Sequence, residues 1–435
     1  MQRRKTNTME KKNFVEKMGA REWILIWVVG LAGQLCWNVE NQWFNTFIYA
    51  KIGPYPWIIS WMTAVSSIVT TFSTFFWGTW SDRKGKRRPF IFIGYVLWGI
   101  FTILFGVSEF LPKNQLVAAA VMIVAMDALM SFFGSMGNDA AFSSWTTDIS
   151  NEKNRGQIGA AMAALPIIAT IVGTVVSGIL ISILDYFLFF IIMGVSVMII
   201  GVLGFLFMRE GANLQPNRDE KGFWHQVFSV FNFKTVKENK ELFCVFFISC
   251  VYFICFNFYY AHIGNYFIYV LGYDEGMSGI LQGVGLGLAI LATIPATKAI
   301  NNGKHIKMII ASVIFSIIGL FVIGFAGKTI FLLLPGIILA GVGYVLIMQT
   351  TTAWMKNLYP EGNYGQFEGV RIIFNVMIPM VLGPSAASII IEHFGTQVTI
   401  NGEVGMAPSA ALFFAAGIMS VLTLIPTYFA SKQKK

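Results

Sequence analysis

The stretch GTWSDRKGKRRP, from Gly78 to Pro89, decides the fold of this chain. It groups one acid and five basic residues between two apolar runs that cover 57–80 and 89–108. Each run has roughly the 20 residues that a helix needs to cross the hydrocarbon core of a bilayer. Because Lys and Arg are enriched in the cytoplasmic loops of membrane proteins, this stretch predicts a short cytoplasmic turn between two transmembrane helices.

The composition of the whole chain agrees with a membrane protein. The 435 residues are 56% hydrophobic and only 12% charged, and their mean hydropathy is +0.65. A soluble globular protein has about 25% charged residues. Only helices and closed barrels satisfy the backbone hydrogen bonds inside lipid, and the long apolar runs of this sequence indicate helices.

Twelve such runs account for almost the whole chain. The predicted spans of the first half are 23–49, 57–80, 89–108, 116–142, 157–182 and 186–208. Those of the second half are 242–270, 277–300, 308–326, 331–354, 366–391 and 409–430. An even number of spans places both termini on the same side of the membrane.

The basic residues lie on one side of this predicted topology. With the N-terminus in the cytoplasm, the cytoplasmic segments hold 27 of the 31 Lys and Arg residues, whereas the outer loops hold only Lys51, Lys113 and Lys328. We therefore expect both termini in the cytoplasm. The same distribution explains the net charge of +9 without a nucleic acid as partner. We expect a plasma membrane, of the bacterial inner-membrane type, as the location.

The longest polar stretch, 209–241, lies near the middle of the chain and predicts a cytoplasmic linker. The alternative is a long loop without a linking role. Within it, Phe223–Phe233 has the composition of a short helix at the membrane surface. The predicted domains are a tail at 1–22, a bundle at 23–208, the linker at 209–241, a bundle at 242–430 and a tail at 431–435.

An internal repeat supports the division into two bundles. WTTDISNEKNRGQ from Trp145 and WMKNLYPEGNYGQ from Trp354 share five residues at a constant offset of 209. Both stretches follow the fourth predicted helix of their half. The predicted fold is all-α: an integral membrane protein whose 12 transmembrane helices form two pseudo-symmetric six-helix bundles.

The stretch from Gly78 resembles the loop signature of the major facilitator transporters, G-x-x-x-D-[RK]-x-G-[RK]-[RK]. The residues that match its fixed positions are Gly78, Asp82, Arg83, Gly85, Lys86 and Arg87. The resemblance covers the whole chain at the level of topology, and it implies that this loop closes the outward-facing state. We expect Gly78 to allow close helix packing and the arginines to pair with acids. The alternative, that the basic residues only fix topology, leaves Asp82 and the glycines unexplained.

The continuation RRPFIFIG, Arg87 to Gly94, is similar to the sucrose-type proton symporters and to the glycoside–pentoside–hexuronide cation symporters. The second predicted helix, however, has none of the carboxylates that melibiose-type symporters use for sodium. The resemblance therefore implies a proton, rather than sodium, as the coupling ion.

Carboxylates within the predicted spans are candidates for proton coupling. A charge at mid-membrane costs about 2.5–3.5 kcal/mol on insertion scales, so such a residue is a functional candidate by default. Asp127 lies near the middle of predicted helix 4, where a helical period places Ser131, Gly134, Asn138 and Trp145 on the same stripe. Glu40 in predicted helix 1 is the second candidate. A structural pairing between helices is the alternative for both.

Polar and aromatic side chains within the spans predict a solute pathway, because amides offer paired donors and acceptors and aromatic rings offer an apolar plane to a sugar. Predicted helix 1 carries Gln34, Trp37, Asn38, Asn41 and Asn45. Predicted helix 7 carries Asn257, Tyr259 and His262, and further candidates are Asn138, Gln282, Tyr344, Gln349 and Asn375. Packing is the alternative for the aromatic stripe, and His262 is also a candidate proton carrier.

The remaining signals are local. Glu368 and Arg371 lie three residues apart in predicted helix 11, where they either pair with each other or close an inner gate. Thr396–Val404 contains an Asn-Gly turn and predicts a hairpin. The four cysteines lie in apolar runs without metal-ligand spacing, so we expect neither a metal nor a cofactor.

We therefore expect a monomeric transporter and not an enzyme. It would move a small polar solute, a sugar or glycoside, by alternating access with proton symport, from a site at mid-membrane between the bundles. A proton-coupled exporter of amphipathic compounds is the alternative. A membrane transferase would need an interfacial His/Asp or metal-binding constellation, which the sequence lacks. A non-transporting receptor on the same fold is distinguished from a transporter only by flux measurements.

Overall fold

The computed structural model describes residues 14–15, 18–151, 154–211, 214–216, 222–224, 239–359 and 364–433. Within this part of the chain, twelve helices are long and apolar enough to cross a membrane, as predicted. The first six are α1 (Ala20–Ile52), α2 (Pro56–Lys84), α3 (Arg88–Phe110), α4 (Leu116–Asp148), α5 (Arg155–Leu184) and α6 (Tyr186–Phe207). The second six are α7 (Lys240–Val270), α8 (Glu275–Thr293), α9 (His305–Ala326), α10 (Ile330–Leu358), α11 (Gly369–Phe394) and α12 (Ala410–Gln433).

Short elements connect these helices. Strand β1 (Phe14–Val15) pairs in parallel with β2 (Glu210–Gly211). Strands β3 (Thr396–Ile400) and β4 (Glu403–Ala407) form the predicted antiparallel hairpin. A short helix, Ala296–Asn301, follows α8. The predicted surface helix at Phe223–Phe233 lies mostly outside the described residues.

The helix ends differ from the predicted spans in an understandable way. Most helices extend past the apolar run, as α1 does at both ends, because the backbone keeps its hydrogen bonds beyond the apolar residues. α8 is shorter than the predicted 277–300. Pro295 follows it and has no N–H with which to continue the helix, so the chain starts a separate short helix at Ala296.

The helices form two compact units. The first combines residues 1–38, 68–173 and 184–229, and the second combines 39–67, 174–183 and 230–435. The division therefore runs within α1, α2 and α5. It follows packing rather than the sequence repeat, and the predicted domain boundaries at the linker stay a prediction.

In the first unit, glycines let α3 approach its neighbours closely. A Cβ atom placed on Gly99 would lie 2.3 Å from the carbonyl oxygen of Gly194 in α6, and one on Gly94 would lie 2.6 Å from Gly137 in α4. Side chains at these positions would push the helices apart. Small residues at contacts between helices are typical of membrane proteins, whose helices gain stability from close packing rather than from water exclusion.

In the second unit, α9 and α10 pack in the same way, with Gly319 against the backbone of Ala340 and Gly343 against Ser316. Residues 174–183, near the C-terminal end of α5, also belong to this unit. A Cβ atom on Gly279 in α8 would lie 2.5 Å from the carbonyl oxygen of Thr174 in α5. The unit thus joins the ends of first-half helices to helices of the second half.

Candidate functional site

Four helices each have a long range of described residues without an exposed side chain. In α1, α4, α7 and α10, the ranges 29–52, 130–146, 248–270 and 336–355 are all described and contain no exposed side chain. By contrast, α6 has an exposed apolar stripe at helical spacing. Its members are Leu188, Ile192, Val195, Ile199 and Leu206. These four helices are the first and fourth of each half, which matches the predicted repeat and identifies the helices that hold polar side chains away from lipid.

A chain of hydrogen bonds links α1, α4 and α3 in the first unit. Gln34 donates to Asn138 Oδ1 at 3.1 Å, and Asn138 donates to the hydroxyl of Tyr95 at 2.9 Å. Tyr95 in turn donates to the carbonyl oxygen of Val29 at 2.8 Å. The structure therefore brings two predicted solute residues together, and Tyr95, which the sequence argument missed, holds them in place.

The other candidates on α1 lie on either side of this chain. Trp37 packs against the ring of Trp98 in α3 with 4.8 Å between ring centroids. Asn38 is buried close to Gly173 of α5, and Asn41 accepts a 2.8 Å hydrogen bond from Asn45 at its backbone carbonyl. Gln34, Trp37 and Asn38 of the predicted stripe thus each contact a different neighbouring helix.

Asp127 is buried in α4, with 1% of its surface exposed. Ser131 and Gly134, the next residues of the predicted stripe, are also buried, and a Cβ atom on Gly134 would lie 2.8 Å from the ring of Trp98. Residues 135–142 then form a π-helix, which adds residues to each turn and rotates all later side chains. Trp145 therefore does not continue the stripe; it is buried and stacks on Phe142.

Glu40, the second carboxylate, faces α2. Its Oε1 atom accepts a 2.7 Å hydrogen bond from Ser66. Two positions further on, Gln42 accepts a 2.8 Å hydrogen bond from Thr174 in α5. Gln42 was not among the predicted residues, because a helical period turns it about 100° away from its neighbour Asn41 on the predicted stripe.

An aromatic cluster lies between α7 and α10. The ring of Phe256 stacks on Tyr260 with centroids 4.6 Å apart and on Tyr344 with centroids 4.4 Å apart. All three residues are half-buried, as is the neighbouring Asn257. Tyr259, the predicted residue, is instead buried in the apolar core of the second unit. The cluster is therefore partly exposed within described ranges of α7 and α10 that contain no fully exposed side chain.

His262 lies one turn further along α7 and is fully buried. Neither of its ring nitrogens has a hydrogen-bond partner among the described residues. Leaving a buried imidazole without a partner costs free energy. A residue kept under that cost is a candidate for a function in another state of the protein, where a solute or water reaches it.

The three remaining amides make local contacts in the second unit. Gln282 donates to Ser278 on its own helix at 3.3 Å, and Asn375 accepts a 2.7 Å hydrogen bond from Ser249 in α7. Gln349 in α10 is half-buried, and its side-chain oxygen has no partner within the described part of the chain.

The signature loop begins with a defined helix end. Gly85 has a φ of 60°, and its N–H bonds the carbonyl oxygen of Asp82 at 3.2 Å. The N–H of Lys86 bonds the carbonyl oxygen of Ser81 at 3.3 Å, which completes a Schellman motif at the end of α2. Position 85 therefore requires a residue that adopts a positive φ angle easily, as glycine does. The expectation that Gly78 allows close helix packing is wrong for this structure, since among the described residues a Cβ there would meet only Ala140, at an ordinary contact distance of 4.0 Å.

Arg87 is the centre of an ion-pair cluster. Its guanidinium binds Asp82 at 2.6 Å and Asp148, at the end of α4, at 2.8 Å. Burial on its own would lower the pKa of Arg87, but the hydrogen bond to Asp148 and the charges of both carboxylates raise it. The arginine thus stays charged and ties the loop to α4. Arg83 lies over the ring of Phe223 at 5.9 Å.

Glu210 joins the linker to the same loop. Its carboxylate accepts hydrogen bonds from the backbone N–H of Arg87 at 3.0 Å and of Arg88 at 3.1 Å. Burial raises the pKa of Glu210, and the two N–H donors offset only part of that effect. A Cβ atom on Gly85 would lie 2.8 Å from the backbone of Pro216, so the linker packs directly on the loop.

The second predicted gating pair is only partly described. The side chain of Glu368 lies outside the described residues, and Arg371 is half-buried in α11. Within the described residues, no group of three or more His, Cys, Asp or Glu side chains has the geometry of a metal site.

The sequence profile of the Major Facilitator Superfamily matches residues 23–366, and the chain belongs to this family. It is therefore a multi-pass membrane transporter and not an enzyme. No curated protein sequence matches the chain significantly.

Solved structures of transporters share the fold. The nucleoside transporter NupG has a TM-score of 0.72 at 11% identity, over 95% of this chain and 100% of that chain. The POT family transporter PepTSo has a TM-score of 0.71 at 11% identity, over 96% of this chain and 99% of that chain. A D-xylose-proton symporter has a TM-score of 0.67 at 13% identity, over 93% of this chain and 97% of that chain. At these identities the similarity is one of fold.

Proposed function

We propose that the protein is a secondary active transporter that moves a sugar or glycoside by proton symport. The observation that carries this proposal is the half-buried surface of Phe256, Tyr260 and Tyr344 beside Asn257, on helices without a lipid-facing stripe. A sugar ring has an apolar face and a rim of hydroxyls. Stacked aromatic rings complement the first, and amides complement the second.

Amides of α1 and α4 within the first unit are a separate set of candidate solute-binding groups. Gln34 and Asn138 already bond each other, so they are held in one geometry before a solute arrives. Fixed donors and acceptors lose less entropy on binding than mobile ones. Asn38 is the remaining candidate amide of α1 in this unit, whereas Asn41 and Asn45 belong to the second unit.

Asp127 is the proposed proton carrier. It is a buried carboxylate within the membrane-spanning helix α4, where a permanent charge is costly and protonation relieves that cost. Glu40 and His262 are the alternative positions for the proton, and the fold shared with a D-xylose-proton symporter agrees with proton coupling.

For the membrane orientation, we propose that the linker side is cytoplasmic and the hairpin side is external, in a plasma membrane, with the protein acting as a monomer. The concentration of 27 Lys and Arg residues on the linker side supports this orientation.

The test is uptake into proteoliposomes under an imposed inward proton gradient, over a panel of pentoses, hexoses, disaccharides, aryl glycosides, nucleosides and dipeptides. The expected result is accumulation of one sugar or glycoside class, which a protonophore abolishes. Liposomes without protein and liposomes containing Tyr344→Leu protein serve as controls.

The alternative function is proton-coupled export of amphipathic compounds, which the aromatic content of α7 also favours. Loading the same proteoliposomes with an amphipathic dye separates the two. Dye efflux driven by the proton gradient, without accumulation of any sugar, would replace the symport proposal.

A further inference from the structure

The hairpin of β3 and β4 binds the chain segment between α1 and α2 through its backbone. The N–H of Met406 donates to the carbonyl oxygen of Pro54 at 3.1 Å, and the hydroxyl of Tyr49 donates to the carbonyl oxygen of Met406 at 2.8 Å. A Cβ atom on Gly405 would lie 2.3 Å from the carbonyl oxygen of Pro54. The two segments therefore fit together only because position 405 has no side chain.

Side chains at the tip of the hairpin add two further contacts. Asn401 donates to the carbonyl oxygen of Ala50 at 2.7 Å. The hydroxyl of Tyr55 donates to the carboxylate of Glu403 at 2.8 Å. A hydrogen bond to a carboxylate is stronger than one between neutral groups. These contacts join positions about 350 residues apart.

The hairpin itself is rigid and is fixed to the second half of the chain. Its turn residues, Asn401 and Gly402, have φ angles of 52° and 88°, which suit a two-residue hairpin. At its base, Ser409 donates to the carbonyl oxygen of Phe394 at 2.6 Å. The hairpin therefore moves together with the adjoining ends of α11 and α12.

The contact between α1 and α7 beneath the hairpin, here called the seam, leaves buried polar atoms without partners in the described part of the chain. Asn265 in α7 donates to the carbonyl oxygen of Asn45 in α1 at 3.1 Å. The side-chain oxygens of both residues are buried and have no partner among the described residues. Unsatisfied buried polar atoms destabilise the closed seam, and water satisfies them when it opens. The seam is thus weaker than a fully hydrogen-bonded one, and contacts at its rim add to its stability.

We propose that the hairpin is a latch that holds the hairpin side of the transporter closed over this seam. This inference goes beyond the proposed function, since it concerns neither the solute nor the coupling ion. Breaking the latch contacts shifts the population toward a state in which the seam is open to water. The contacts lie at the rim, so the latch can be weakened without disturbing the buried polar residues of the helices.

The test is the rate at which a membrane-impermeant thiol reagent labels Thr46→Cys from the hairpin side of the full-length protein. Thr46 is buried in the seam beside Gly264, and cysteine is close to it in size. The latch is weakened by Tyr55→Phe, which keeps the ring, or by Gly405→Ala. Protein without Thr46→Cys gives the background of the native cysteines, and Gln397→Ala on the exposed face of the hairpin is the matched control.

We expect labelling about tenfold faster in Tyr55→Phe, the change that corresponds to the loss of one hydrogen bond to a charged group. Gly405→Ala should also label faster, because its side chain pushes the hairpin away from Pro54. Gln397→Ala should label at the rate of the intact latch. Monodisperse elution of the Tyr55→Phe protein shows that it is folded. Equal or slower labelling in the two latch variants overturns the proposal, and because no solute is used, that outcome leaves the transport proposal unaffected.

Discussion

Trp145 and Trp354, which are 209 positions apart, each donate a hydrogen bond to one end of the predicted linker, 209–241. Trp145 donates its indole N–H to the carbonyl oxygen of Arg209 at 2.7 Å, and Trp354 donates to the carboxylate of Glu241 at 2.9 Å. Both rings are buried near the end of the fourth helix of their half. The sequence repeat therefore has a structural counterpart: the same residue holds the adjoining linker segment in each unit, although one acceptor is backbone and the other is a side chain.

The Trp354–Glu241 bond predicts a difference between two substitutions. Glu241→Ala removes the acceptor and leaves a buried indole N–H unpaired, which costs about 1–3 kcal/mol. Glu241→Gln keeps an acceptor and should cost less than half of that. Thermal unfolding in detergent, followed by the fluorescence of the protein, measures both. The same loss of stability in the two variants would show that the hydrogen bond contributes nothing.

Arg87 predicts a second difference, because a lysine cannot bind two carboxylates with a planar fork. Arg87→Lys should lose one of the two ion pairs and destabilise the protein by about 1.5–3 kcal/mol. Asp82 is more exposed than Asp148, so Asp148→Asn should cost more than Asp82→Asn. Unfolding midpoints of the three variants check this order, and a larger effect of Asp82→Asn contradicts it.

Glu210 predicts a pH dependence of linker docking. Its pKa is raised above the ordinary value of 4.5, chiefly by burial. The docked linker therefore binds the proton more tightly than an undocked one, so docking is strongest below pH 4.5 and weakens as the pH rises through the raised pKa. Hydrogen exchange of residues 210–211, corrected for intrinsic rates, measures it. Glu210→Gln is the control and should remove the dependence; protection that increases with pH is incompatible with this account.

The aromatic cluster predicts a contrast between Tyr344, which belongs to it, and Tyr259, which lies in the apolar core. Tyr344→Leu removes a ring that stacks on Phe256, and we expect solute affinity to fall about tenfold, as for the loss of one aromatic contact of about 1.4 kcal/mol. Tyr259→Phe changes only a hydroxyl in the apolar core and should leave affinity within about twofold. Binding measured by isothermal calorimetry with the transported solute tests both. A greater loss of affinity for Tyr259→Phe would indicate that the solute binds to the face of α7 that carries Tyr259.

Much of the fold could be predicted from local sequence. The twelve spans, the hairpin and the turn of Gly78–Pro89 all depend on residues that are close together in the chain: apolar runs, an Asn-Gly pair, and a glycine at a helix end. Gly85 is an example, since its positive φ angle follows from the end of α2 itself.

The candidate site could be predicted only in part, because its geometry depends on distant partners. Tyr259 and Tyr260 are chemically alike, and only packing against α10 and α12 decides which of them is half-buried. The π-helix at 135–142 has no sequence signal that the helical period could reveal, and it changes the direction of every later residue in α4. The Glu210 contact likewise joins segments 123 residues apart.

The most direct test of proton symport compares wild-type protein with Asp127→Asn in proteoliposomes that contain a pH-sensitive dye. Under proton symport, entry of the transported sugar carries protons inward in the wild type. In Asp127→Asn, solute exchange without a gradient should persist while sugar-driven proton entry and accumulation are lost. Equal accumulation and proton entry in the two proteins would contradict the assignment of Asp127, and sugar uptake without any proton movement in the wild type would contradict the symport mechanism itself.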